Sequence, residues 1–171
     1  MPVLLNVFES MRLMLKIEVD VAAQKMFVFK ENTIIGEYVI STAKNGVGEI
    51  IGSEQTPRGW HIIRAKIGRN YPANTVFVKR RPTGEIYQPV MKINYPNRDW
   101  ILTRILWLSG LEKGKNRLGK VDTMRRYIYI HGTPDDVKMG LPGSKGCIRM
   151  SNKDIIELFD IVPVKTPLLI K

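Results

Sequence analysis

The amino-acid sequence predicts a single, mainly β domain with one or two short helices. Three observations carry that prediction. Lys16–Val21 alternates polar and apolar residues strictly, the period of a half-buried strand. Turn residues divide the first half into hairpin-sized runs. Only residues 152–160 show a complete helix signature. The 171 residues, 44% apolar and 25% charged, suffice for one core without cross-links. The lone cysteine, Cys147, excludes a disulfide scaffold.

Taken in order, residues 1–171 read as one domain, with 1–14 as its N-terminal extension. After Lys16–Val21, the break Ala22-Ala23-Gln24 leads into Lys25–Lys30, and Glu31-Asn32 turns the chain into Thr33–Ser41, giving a meander of antiparallel hairpins. Thr75–Lys79 and Glu85–Gln88 are read as a further hairpin about a Pro82-Thr83-Gly84 turn. Asp99–Leu108 is apolar enough for a helix or a strand, and periodicity does not decide between them. Ser109–Asp122, rich in Gly and Lys, reads as an exposed loop. Tyr127–Ile130 is β-branched and aromatic, and Leu168–Ile170 can close the sheet. Ser151 stands three residues before Asp154, a capping-box spacing. The apolar face Ile155, Ile156, Leu158 and Phe159 follows, with Pro163 as the stop.

Lys and Arg total 27 against 16 Asp and Glu, a net charge of +11. Residues 44–126 hold 17 of the cations and 6 of the acids, so the whole excess lies in mid-chain. That concentration fits an anionic partner, or a solvated face that serves solubility alone. No apolar run approaches the roughly 18 residues that span a bilayer. The N-terminus has no positive charge ahead of its apolar residues and no small-x-small cleavage site, so no export signal is recognisable.

Phosphate-loop motifs are absent. Two histidines and one cysteine are too few for a standard structural zinc site, so no metal is expected. Asp135-Asp136 follows Thr133-Pro134 and reads as a solvent-facing turn rather than a carboxylate pair. What remains is the segment from Tyr127 to Asn152, with His131 at a strand end and Cys147 after it. A cysteine attacks carbonyls only as a thiolate, and so requires a nearby proton acceptor. Histidine titrates in the range to serve as one. Lys145 and Arg149 bracket the sulfur in sequence. Gly146 carries no side chain, so its N–H and that of Cys147 are candidates to face a developing oxyanion. The plain alternative is a small buried cysteine and a hydrogen-bonded structural histidine.

These residues resemble the signature of the L,D-transpeptidases, the YkuD-like catalytic domain: His131-Gly132-Thr133-Pro134, about a dozen residues, then Ser144-x-Gly146-Cys147-Ile148-Arg149-Met150. Thr56-Pro57-Arg58-Gly59 with Ile63 is similar to that family's upstream motif. The resemblance implies a β-sandwich-like fold and cross-linking of peptidoglycan stem peptides through a Cys147 thioester. His131 would be the base, and the carbonyl of Gly132 would fix its tautomer. Ser144 and Arg149 would shape the pocket. Lys145 stands where family members often carry a second histidine. No metal or organic cofactor is implied.

The implied partners are a donor tetrapeptide stem and an acceptor amine, with no nucleic acid. With water as acceptor the same residues would give an L,D-carboxypeptidase or cysteine amidase. From another class comes a non-catalytic binder of an acidic polymer, resting on the net charge and Lys79-Arg80-Arg81. The family implies a periplasmic or envelope location, while the unrecognised signal peptide leaves the cytoplasm open.

Overall fold

The computed structural model describes residues 15–171, so the expected extension over 1–14 lies outside the described residues. The chain forms one ten-stranded sheet: β1 (Leu15–Asp20), β2 (Lys25–Lys30), β3 (Thr33–Val39), β4 (Gly59–Ile67), β5 (Thr75–Val78), β6 (Arg81–Ile86), β7 (Ile101–Gly110), β8 (Tyr129–Gly132), β9 (Ile148–Met150) and β10 (Pro167–Ile170). Two helices join it, α1 (Pro89–Asn94) and α2 (Asn152–Ile161). The strand path runs β3-β2-β1-β10-β4-β7-β5-β6, with β8 on β7 and β9 on β8. Within it, β10 lies parallel to β1 and antiparallel to β4. The C-terminal run therefore joins the N-terminal meander to the rest of the sheet.

Alternation decides which faces are buried. Ile17 and Val19 of β1, Met26 and Val28 of β2, Leu106 and Leu108 of β7, Ile130 of β8 and Ile148 of β9 enter one core. Ile155, Leu158 and Phe159 of α2 complete it, so the N-terminal meander and the β7–β9 strands enclose a shared interior in the sandwich-like manner expected. Each such aliphatic side chain contributes about 1.5–3 kcal/mol by leaving water. The cap of α2 is as expected, with Ser151 Oγ accepting from the Asp154 N–H at 3.1 Å, a contact worth about 1 kcal/mol.

Asp99–Leu108 resolves as strand, because Ile101–Gly110 is paired on both edges, by β4 and β5 on one and β8 on the other. A backbone flanked in this way meets its hydrogen bonds laterally. The expected turn at Pro82–Gly84 is a bulge inside β6. Thr75 pairs with Ile86 and Phe77 with Pro82, so three residues of β6 face Val76 alone. The chain reverses two residues earlier, at Lys79-Arg80, where both residues have positive φ (47° and 64°). With Val78 opposite Arg81, this is a two-residue turn of the primed type. Proline is tolerated because β6 is an edge strand.

Ser109–Asp122 is not simply exposed. Asn116 is fully buried, donating to the carbonyls of Arg58 (2.9 Å) and Trp60 (3.0 Å) and accepting from the Glu112 N–H. Asp122 likewise accepts from the Leu118 and Arg125 N–H groups. Strands β4 and β9 and helix α1 were not foreseen. Among the described residues, no helix is long and apolar enough to cross a membrane.

Candidate active site

Strand β8 is the frame of the site. It runs antiparallel to β7 and parallel to β9, with Ile130 opposite Ile148 and His131 opposite Arg149. That register carries Cys147, two residues before Arg149, to the level of Tyr129, two residues before His131. The Tyr129 N–H accordingly donates to Cys147 Sγ at 3.3 Å, and the thiol donates toward the Tyr127 carbonyl at 3.5 Å. Cys147 is half-buried and lines a cavity. His131 and Cys147 line one cavity of about 470 Å³, together with Ser144, Lys145, Tyr129 and Asp99 among others. A larger cavity of about 650 Å³ lies between β1, β2 and the C-terminal end of α2, and none of the sequence-predicted site residues lines it.

The imidazole has a defined tautomer. His131 Nδ1 lies 2.7 Å from the Gly132 carbonyl oxygen. A carbonyl only accepts, so Nδ1 carries the hydrogen and Nε2 keeps its lone pair. Nε2 is buried and has no hydrogen-bond partner among the described residues. Gly132 must be glycine for packing reasons: a Cβ there would stand 2.5 Å from Asn152 Oδ1 and 2.7 Å from the Leu102 carbonyl oxygen.

The segment before Cys147 is held by its own hydrogen bonds. Ser144 Oγ donates to the Cys147 carbonyl at 2.5 Å and accepts from the Gly146 N–H at 3.2 Å. Thr56, of the upstream motif, is fully buried and donates to the Gly146 carbonyl at 3.0 Å while accepting from the Ala43 N–H. Gly146 sits at φ +127°, a conformation that disfavours any side chain. The Gly146 amide, expected at an oxyanion, is thus engaged with Ser144. The Cys147 amide has no partner among the described residues.

Lys145 is exposed at the rim of the cavity. Arg149 does not line it. Its guanidinium donates to the Gly143 carbonyl and to Asp99 Oδ1, both at 3.1 Å, and so ties the Cys147 segment to the chain entering β7.

Burial sets the electrostatics. It pushes the Cys147 thiol up to about 12, against the opposing pull of the Tyr129 N–H and of Arg149 and Arg126. It also depresses His131, with the Asp99 charge working the other way. Both displacements favour the neutral thiol and the neutral imidazole. The second histidine, His61, is structural. Its ring bonds the Gly59 carbonyl and Thr123 Oγ1, and burial pulls it down to about 4.

Several wall residues were not foreseen. Asp99, Ile101, Tyr127 and Tyr129 also line the cavity, with Lys79 and Arg80 from the β5–β6 turn. They arrive through strand pairing, and no local motif marks them. The pairing of β7 with both β5 and β8 was the one signal available, and it required the strand assignment of Ile101–Gly110.

The chain is similar to known proteins both in sequence and in fold. The family model for YkuD, the L,D-transpeptidase catalytic domain, matches residues 15–170. The chain is 50% identical over 102 residues to YkuD of Bacillus subtilis (strain 168), covering 59% of this chain and 52% of that protein. It is 27% identical over 152 residues to ErfK/SrfK of Salmonella typhimurium, covering 88% of this chain and 42% of the other. The chain thus spans about half the length of the curated relatives it matches. In fold it is similar to Bd1075 of Bdellovibrio bacteriovorus, with a TM-score of 0.59 at 19% identity over 95% of this chain and 49% of that one. It is also similar to L,D-transpeptidase 3 of Mycobacterium tuberculosis, solved with a faropenem-derived adduct, with a TM-score of 0.58 at 13% identity over 92% and 60% of the two chains. With a family match running from the first described strand to the last, the chain belongs to the YkuD family of L,D-transpeptidase catalytic domains.

Proposed function

We propose that this domain is a peptidoglycan L,D-transpeptidase that works through a thioester on Cys147, in the cell envelope where that polymer lies. The observation that carries the reading is the unpartnered Nε2 of His131, fixed as a proton acceptor by the Gly132 carbonyl, in the cavity that Cys147 lines. His131 Nε2 takes the Sγ proton as the sulfur attacks the carbonyl carbon of the third residue of a tetrapeptide stem. The C–S bond forms, and the carbonyl oxygen, now an anion, is stabilised by the Cys147 N–H. The C–N bond then breaks, and the departing D-amino acid takes the proton from His131. An acceptor amine gives a proton to Nε2 and attacks the thioester. The new amide forms, the C–S bond breaks, and the thiol recovers its proton.

Because burial favours neutral partners, the proton transfer from thiol to imidazole is uphill on its own. Substrate makes it productive, since the negative charge passes from sulfur to the carbonyl oxygen. Lys145 in place of the family's frequent histidine is exposed and removes a second titrating imidazole from the rim.

Product analysis tests the reading. Incubation with a disaccharide-tetrapeptide is expected to release D-alanine and join two stems, with turnover lost in Cys147→Ala and reduced at least about 100-fold in His131→Ala. Products that gain water without joining would identify a hydrolase. Salt-sensitive DNA binding without thiol reactivity would identify the acidic-polymer binder.

A further inference from the structure

We propose that Arg80 is the specificity-determining residue of this cavity, binding a free carboxylate of the donor stem peptide one tyrosine length from the attacked carbonyl. The inference rests on the function proposed above for the donor's identity. Its own evidence is the β5–β6 turn. Lys79 and Arg80 both occupy the left-handed region, where a two-residue hairpin ordinarily has Asn and Gly. Each non-glycine residue so placed carries a conformational cost. That cost sets two cationic side chains on the cavity wall.

The guanidinium is fixed in place. One of its nitrogens donates to Tyr129 Oη at 2.9 Å, and its plane lies over Trp107 (4.4 Å to the ring centre) and Tyr127 (5.0 Å). The backbone of the same Tyr129 donates to Cys147 Sγ. One residue therefore spans from the sulfur to the guanidinium and sets their separation. Arginine presents five donors in a rigid fork that matches a carboxylate, and Arg80 spends one here. Among the described residues it forms no ion pair, and neither do Lys79 and Lys145. The one acid on the cavity wall, Asp99, is held by Arg149. Three cations and no free carboxylate leave an unmatched positive wall, with Arg80 its one immobilised member.

Two stem carboxylates stand next to the attacked carbonyl: the terminal one of the leaving residue and, where the third residue is a diamino diacid, its side-chain one. Calorimetry on the Cys147→Ala protein distinguishes them without turnover, using a tetrapeptide with both carboxylates free, one amidated only at the terminus and one amidated only on the side chain. One amide is expected to weaken binding about 10- to 100-fold, and Arg80→Gln, made in the same background, to remove that discrimination. Arg80→Lys, which keeps the charge without the fork, is expected to restore part of it.

Equal binding of all three peptides would overturn the proposal. So would equal weakening by both amides that persists in Arg80→Gln, since a diffuse positive potential would then account for it. The peptide comparison in the protein that retains Arg80 decides even if Arg80→Gln does not fold. Loss of turnover with intact carboxylate discrimination would count against the proposed chemistry alone.

Discussion

At the residue scale, Cys147 and His131 line one cavity, and their surroundings hold both of them neutral. Burial raises the Cys147 thiol to about 12 and lowers His131. A preformed thiolate–imidazolium pair would require the reverse displacements. Alkylation of Cys147 by iodoacetamide is therefore expected to keep accelerating with pH beyond pH 9. A plateau below pH 7 would show that the ion pair exists at rest. The residues nearest this chemistry were legible in the sequence, since Cys147, His131, Gly132 and Ser144 stand in short motifs whose spacing survives folding. Arg80, Tyr129 and Asp99 were not, because cross-strand register delivers them.

At the element scale, strand β8 does most of the positioning, through its ladders to β7 and β9. Gly132 is where that positioning is tightest, paired with Leu102 and packed against Asn152 at the start of α2. Gly132→Ala places a methyl group against the Leu102 carbonyl and the Asn152 side chain, neither of which yields without disturbing the ladder or the helix start. The expected loss is about 1–3 kcal/mol, or a fall of roughly 3–10 °C in Tm by calorimetry. An unchanged Tm would mean that the strand pair is looser than drawn. The long, strongly patterned elements were legible, β1 and β2 by alternation and α2 by its cap. Strand β9 was not, being three residues long and held by pairing alone. The β5–β6 turn was displaced because Pro82 and Gly84 are strong turn residues that here form a bulge, while Lys79-Arg80 carries no turn signal.

At the scale of the whole molecule, two fully buried histidines couple the fold to pH. Burial is the main cause of both depressions, and it takes His61 from an ordinary 6.5 to about 4. The unfolded chain binds these protons more readily. Stability is therefore complete above pH 6.5 and lost as pH falls toward 4, by about 3 kcal/mol for His61 alone. Thermal melts between pH 7 and 4 are expected to show this decline, with a shallower slope in His61→Gln. A flat profile would contradict the buried neutral assignment. Composition had already indicated a chain sufficient for one core, and residue patterning a mainly β fold, yet neither could show that the mid-chain charge excess supplies cations to a cavity wall. The central claim is that Cys147 and His131 act together, and a time course of intact-protein mass with a disaccharide-tetrapeptide tests it most directly. The account predicts an adduct equal to the donor less D-alanine on the wild-type protein, none on Cys147→Ala, and formation at least about 100-fold slower on His131→Ala; an adduct that persists in Cys147→Ala, or forms at the wild-type rate in His131→Ala, would contradict it.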